Sequence, residues 1–278
     1  MIGIVTDSNS QLPPDLVARY EVEVVPLTII VDGRELAEGV DIDADVFYDL
    51  FATGTPSVAT SQPSPGQFAA AYERVAAKGA TEILSIHIGS AISGTLNSAR
   101  LVAGDAPVSV RLVDTNTSSF GISCCVWEAA DAVRAGASIE EAATVAETVG
   151  ASVGNVFVVS ALDLARAGGR VVVDEASVAE GIPVLSLDGG DLKVVATVED
   201  VDAATEAMAE YCTRAELGDR LRIAVGLADA GAGVLSQALE DRVAHHPSVV
   251  EVVHYRIGPS VGVHTGPGTV GAFFWPVR

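Results

Sequence analysis

The chain has 278 residues, 49% of them hydrophobic and 19% charged, which excludes a disordered polymer, and it lacks the apolar run of ~20 residues that a bilayer-crossing helix needs. Its 16 basic and 37 acidic residues sum to −21, which argues against nucleic acid as a partner, because a polyphosphate needs a basic stripe to release its counterions. At ~150 residues per domain, the length predicts two domains, each with room for its own core.

Through the first half, short β-branched runs alternate with helical patterns, the signature of βαβ units and a parallel sheet. A strand over 2–5 ends in Thr6-Asp7-Ser8-Asn9-Ser10, all turn formers, and Pro13-Pro14 opens a helix to 20. A second strand is predicted over 22–31, and Asp43 caps a helix to about 51. Thr60-Ser61-Gln62-Pro63-Ser64-Pro65-Gly66-Gln67 reads as a loop leading into a helix. Ser64 is the N-cap, Pro65 takes the first helical position and Gln67 the third, a capping box for a helix that Gly79 stops. A strand over 82–88 leads through Gly89 to Thr95 into a helix ending near 102, and a strand over 108–113 precedes a helix over 119–135. Ser138 with Glu141 forms a second capping box, for a helix to about 149.

The pattern restarts at Asn155 with a strand over 156–159, a short helix and the turn Gly168-Gly169-Arg170. Strands over 184–187 and 192–198 flank Asp188-Gly189-Gly190-Asp191, which reads as a hairpin turn. Helices over 203–217 and 233–244 alternate with strands over 222–227 and 249–256. No linker rich in Pro, Gly and Ser interrupts the chain. The expected boundary is therefore a tight crossover near 150–155, between an N-terminal α/β domain over 1–152 and a C-terminal α/β domain over 153–278.

Two patterns near the C-terminus imitate known sites. Gly258-Pro259-Ser260-Val261-Gly262 matches G-x-S-x-G, which needs a strand, turn and helix around it and triad partners in the order Ser, Asp or Glu, His. One histidine, His264, and no acidic residue follow Ser260, so that order cannot be completed. Gly266-Pro267-Gly268-Thr269-Val270-Gly271 matches G-x-G-x-x-G, but the seven residues after Gly271 are too few for the helix and ribose-binding acid of a dinucleotide site. His245-His246 are adjacent, diverge in a helix and lack ligand-spaced carboxylates, so no metal is expected. Cys124-Cys125 beside Trp127 read as packed core, and His87, inside a strand, as structural. Three cysteines with no C-x-x-C spacing, and a start without a basic segment and apolar core, predict a cytoplasmic protein.

Three segments rich in hydroxyls or glycine remain: Thr60-Ser61-Gln62-Pro63-Ser64-Pro65, Ser93-Gly94-Thr95 and His264-Thr265-Gly266-Pro267-Gly268. In an open α/β sheet, ligands bind outside the carboxyl ends of the strands, where helix N-termini offer N–H groups to an anion. Ser93-Gly94-Thr95 is placed to supply amides and hydroxyls, and Thr60 or Ser61 another hydroxyl; each segment alone reads equally well as a cap or a turn.

Together with Ile4-Val5-Thr6-Asp7-Ser8, Leu12-Pro13-Pro14, Val25-Pro26-Leu27 and Gly168-Gly169-Arg170, these segments resemble the DegV family in order and spacing over nearly the whole chain. The resemblance implies a two-domain α/β fold, with a Rossmann-like parallel sheet in the N-terminal domain, a mixed-sheet C-terminal domain and the ligand cleft between them. It implies a bacterial, non-enzymatic carrier of a long-chain fatty acid without a cofactor, the tail buried and the carboxylate held at the cleft. Such a carrier presents its fatty acid to a separate fatty acid kinase subunit that makes acyl phosphate. Carried over residue by residue, the ligand-binding positions are Thr60 with Ser61 beside it, Ser93, Gly94 and Thr95, His264 and Thr265, and the Arg170 of G-G-R. Relatives that serve the kinase tend to carry basic residues after the hairpin that here is Asp188 to Asp191; residues 195–202 instead hold Glu199, Asp200 and Asp202. The alternatives are an acyl- or phosphoryl-transfer enzyme using Ser93 and His264, and a lipid-sensing regulator.

Overall fold

The computed structural model describes residues 1–160, 181–188, 191–214, 217–218 and 220–277. The first half runs β1 (Ile2–Asp7), α1 (Pro14–Tyr20), β2 (Glu23–Val25), β3 (Thr28–Val31), β4 (Arg34–Ala37), α2 (Ala44–Thr53), β5 (Val58–Ser61), α3 (Pro65–Ala77), β6 (Glu82–His87), α4 (Thr95–Ala103), β7 (Ser109–Asp114), α5 (Phe120–Arg134) and α6 (Ile139–Ser152). The second runs β8 (Gly154–Val158), β9 (Ile182–Asp188), β10 (Asp191–Val198), α7 (Val201–Thr213), β11 (Leu221–Leu227), α8 (Gly233–Ala244), β12 (Val249–Arg256), α9 (Pro259–Thr265) and β13 (Val270–Pro276). Among the described residues, no helix is long and apolar enough to cross a membrane.

Two compact units emerge: Met1–Asp41 with Thr60–Ser152, and Ile42–Ala59 with Val153–Arg278. The first is built on a four-stranded parallel sheet of order β2-β1-β6-β7. Helices α3 and α4 pack together against this sheet, as do α5 and α6. Side chains alternate across a strand. Val5 and Ile83 accordingly join Phe68, Ala71, Tyr72 and Val75 of α3 in one apolar cluster. The predicted strand over 22–31 is two strands, because Pro26 has no N–H to continue a ladder; β2 joins the parallel sheet and β3 the small sheet β4-β3-β5. Strand β4 was not predicted; its turn is Asp32-Gly33, both at positive φ, as a tight two-residue hairpin requires. Thr6 and Asp7, expected in a turn, continue β1, since register with β6 and buried hydrogen bonds outweigh their local preference.

In the second unit, a mixed sheet runs in the order β10-β9-β8-β13-β11-β12, parallel only between β11 and β12. Helices α7 and α8 pack together on this sheet, and Met208, Cys212, Leu239 and Val243 share a core with Val156, Ile223, Val225 and Phe274. Residues 42–59, expected in the first domain, belong here instead. Helix α2, capped by Asp43 as predicted, packs against α9, and Gly262 is the reason it can. A Cβ there would lie 2.7 Å from the ring of Phe47. Arg256, ending β12, ties the same helix through Asp45 at 2.8 Å.

Candidate functional site

Thr60 and Ser61, expected in a loop, are the last residues of β5, Thr60 half-buried and Ser61 exposed. The rest of that segment builds a helix start. Ser64 Oγ accepts the Gln67 N–H at 3.3 Å, the Gln67 side chain accepts the Ser64 N–H at 2.8 Å, and the Gln67 amide reaches the Pro26 carbonyl at 3.4 Å. Between the two lies Gln62, whose amide donates to Ser98 Oγ on α4 at 3.2 Å and lies across Gly94. A Cβ at Gly94 would stand 2.8 Å from the Gln62 side-chain carbon and closer still to its oxygen. The two segments that sequence reading singled out in this unit are therefore in contact, through a residue it passed over.

Strand β6 hands over to α4 through Gly89 to Gly94. Ser93 Oγ and Thr95 Oγ1 lie 2.9 Å apart, and the Thr95 N–H donates to Ser93 Oγ at 3.3 Å. Asp43, Ser64 and Asp200 cap α2, α3 and α7 with their side chains, whereas the capping position of α4 is Gly94, which has no side chain. This helix begins at a hydroxyl pair, Ser93 half-buried and Thr95 buried, beside the positive end of its dipole, an arrangement suited to a carboxylate.

Beneath it, Asp7 and His87 are completely buried. His87 Nδ1 is 3.0 Å from Asp7 Oδ2, His87 Nε2 is 2.6 Å from Ser85 Oγ, and Ser85 Oγ is 3.0 Å from the Tyr72 hydroxyl. Those distances match a Ser-His-Asp triad. Ser85, however, is fully buried in mid-strand with the Tyr72 hydroxyl on its oxygen, and a nucleophile must reach its substrate. Burial pushes the Tyr72 phenol up to about 12, keeping it a donor. Asp7 and Gln62 were not singled out as site residues from the sequence, and His87 was read as structural. Only the strand register Thr6↔Ile86, which no propensity encodes, brings Asp7 to His87.

In the second unit, His264 and Thr265 are the last residues of α9 and not part of a loop. The Thr265 hydroxyl donates to the Val261 carbonyl at 3.3 Å, a bond within its own helix. The turn that follows has Gly266 and Gly268 at positive φ, which explains the glycines. It is pinned by Asp229, which accepts the Gly268 N–H at 3.2 Å, and by Ser160, which donates to the Gly268 carbonyl at 3.1 Å. A strand and a helix do flank Gly258 to Gly262, but Ser260 is buried in the first turn of α9. Gly271 lies in β13, and among the described residues no helix follows it.

Gly168-Gly169-Arg170 and the hairpin glycines Gly189 and Gly190 lie outside the described residues. Around that hairpin, Asp188 pairs in register with Asp191. The acidic stretch that follows has structural duties: Asp200 caps α7, and Asp202 with Glu206 holds Arg242, Glu206 at 2.9 Å. Among the described residues, no three His, Cys, Asp or Glu gather as a metal would require.

A family model described as an uncharacterised protein of the DegV family matches residues 1–277. A DegV domain-containing protein of Streptomyces coelicolor is 34% identical over 275 residues, 97% of this chain and 96% of its own. Among solved structures, a Thermus thermophilus DegV family protein described by its fatty acid binding superposes with a TM-score of 0.88 at 31% identity, covering 99% of both chains. DegV of Bacillus subtilis, described as a fatty acid binding protein, superposes with a TM-score of 0.87 at 25% identity, again covering 99% of both.

Proposed function

The chain belongs to the DegV family, and from that premise we propose that it binds a long-chain fatty acid, its tail buried and its carboxylate received in the first unit by Thr60, Ser61, Ser93, Gly94 and Thr95; His264 and Thr265 are ligand-binding positions by the family match. The observation that carries the reading is the start of α4, where Gly94 leaves the capping place without a side chain beside the Ser93 and Thr95 hydroxyls. Hydroxyls and amides can satisfy a carboxylate without an arginine. The tail supplies most of the affinity: at ~0.8 kcal/mol per CH₂, about fifteen methylenes give roughly 12 kcal/mol before the costs of association.

In this reading the protein is a carrier, and chemistry on the carboxylate belongs to a kinase subunit. Residues 195–202 hold no basic residue, so docking to such a subunit shifts toward the remaining arginines, of which Arg170 of the G-G-R match is the best candidate. The decisive experiment is extraction of the protein, purified from bacteria, for mass spectrometry. A stoichiometric long-chain fatty acid supports the carrier. Lipid-free protein that by itself turns over an acyl phosphate or an ester overturns it. Acyl phosphate formation with an added kinase subunit, repeated with Arg170→Ala, tests the presentation step; an unchanged rate in the variant removes Arg170 from docking.

A further inference from the structure

Asp7 ends β1 and His87 ends β6, the two neighbouring strands at which strand order reverses in the parallel sheet. The fatty-acid reading gives neither a role. The Asp7 carboxylate accepts from three donors: the Asn9 N–H on Oδ1 at 3.1 Å, and the Ile88 N–H at 3.1 Å and His87 Nδ1 at 3.0 Å on Oδ2. Asn9 belongs to the turn leaving β1, and Ile88 opens the segment that delivers Ser93 and Thr95. One carboxylate therefore fastens both strand exits.

Asp7 already accepts two backbone N–H groups and takes Nδ1 of His87 as its third donor, while Nε2 shares a hydrogen with the Ser85 hydroxyl, which in turn meets the Tyr72 hydroxyl. Tyr72 lies on α3, and Phe68 of the same helix meets the imidazole edge-on, with centroids 5.0 Å apart. Helix α3 begins four residues beyond Ser61, so His87 touches the helix that follows one hydroxyl segment while its bond to Asp7 secures the start of the other.

We propose that His87 is a positioning residue for the fatty-acid carboxylate, fixing through Asp7 the segment that carries Ser93 and Thr95, and through α3 the one that carries Thr60 and Ser61. This rests on the fatty-acid reading above. A residue that merely filled space would be replaceable by an apolar one of similar size, whereas a positioning residue must keep its donor to Asp7.

The test uses the full chain stripped of lipid and a fluorescent polyene fatty acid, with melting recorded for each variant. His87→Leu is expected to lose about tenfold or more in affinity, the scale of one charge-assisted hydrogen bond. His87→Asn, whose amide nitrogen can stand in for Nδ1, is expected to recover all but about threefold of it. Ring ¹⁵N spectra of the unaltered protein should show a proton held on Nδ1, with a resonance that moves when the fatty acid binds. If His87→Leu fails to fold, Ser85→Ala takes its place; it removes the partner that holds Nε2 and should weaken binding by about threefold or more while the ring resonances shift. Unaltered affinity in a folded His87→Leu or in Ser85→Ala, or equal losses in the Leu and Asn variants, overturns the proposal and leaves the fatty-acid reading standing. No binding by the unaltered protein overturns both.

Discussion

Alanine at Gly94 separates the stability of the first unit from its proposed ligand affinity. The added Cβ would stand 2.8 Å from the Gln62 side-chain carbon and 3.0 Å from its nitrogen, so the Gln62 amide must swing away and lose its bond to Ser98. A neutral hydrogen bond at an exposed side chain contributes about 0.5–1.5 kcal/mol. Against that loss, Gly94 has an ordinary φ of −75°, where alanine stabilises by about 0.4–1 kcal/mol by restricting the unfolded chain. The two nearly cancel, and the melting temperature should move by no more than about 4 °C. Affinity should not be spared, because the displaced side chain lies over the helix start that receives the carboxylate. The expected loss is about tenfold, ~1.4 kcal/mol. Gln62→Ala removes the obstacle, so adding Gly94→Ala to it should cost little more, and a double-mutant cycle on fatty-acid affinity should give a coupling near 1 kcal/mol. Strictly additive effects would refute the idea that Gln62 joins the two segments, and a fall in melting temperature of 10 °C or more, on the order of a core lesion, would refute the packing argument itself.

Other predictions follow from the same geometry. Ser93→Ala, Thr60→Ala and His264→Ala should each weaken fatty-acid retention by about 1.5–3 kcal/mol with the fold intact, as lipid extraction after dialysis would show; full retention in the triple variant contradicts the assignment. Tyr72 is held neutral, its pKa raised by burial to about 12, so its contribution of roughly 2–3 kcal/mol is fully present below pH 10 and lost as pH rises toward 12. Denaturant unfolding between pH 9 and about 12 should show that decline, and Tyr72→Phe should lessen it. All three cysteines are buried, and burial pushes the thiols of Cys125 and Cys212 far up, so thiol reagents should label the folded protein only at the rate at which it opens.

The sequence carried most of the helices, because caps are local. Asp43, Ser64 with Gln67, and Ser138 with Glu141 all cap as their spacing predicts. Strands were read less well where pairing overrides composition. Thr6 and Asp7 look like a turn and are strand, Arg34–Ala37 is too charged to look like one, and Pro26 divides a run that is continuous in hydropathy. In the candidate site, the hydroxyls could be named from motif spacing. Gln62 and the pairing of Asp7 with His87 could not, because these contacts join residues far apart in the chain: Gln62 on Ser98, with a separation of 36, and Asp7 on His87, with a separation of 80.

The assignment of residues 42–59 to the second unit has a consequence during synthesis. Phe47 and Tyr48 of α2 emerge early from the ribosome, and the Gly262 surface they pack on emerges 262 − 47 = 215 residues after Phe47. At about 5–20 residues per second, an apolar helix face waits roughly 10–40 s for its permanent cover. A nascent chain halted before α9 is made would present that face to chaperones, and slower translation would lengthen the exposure, whatever the stability of the finished fold.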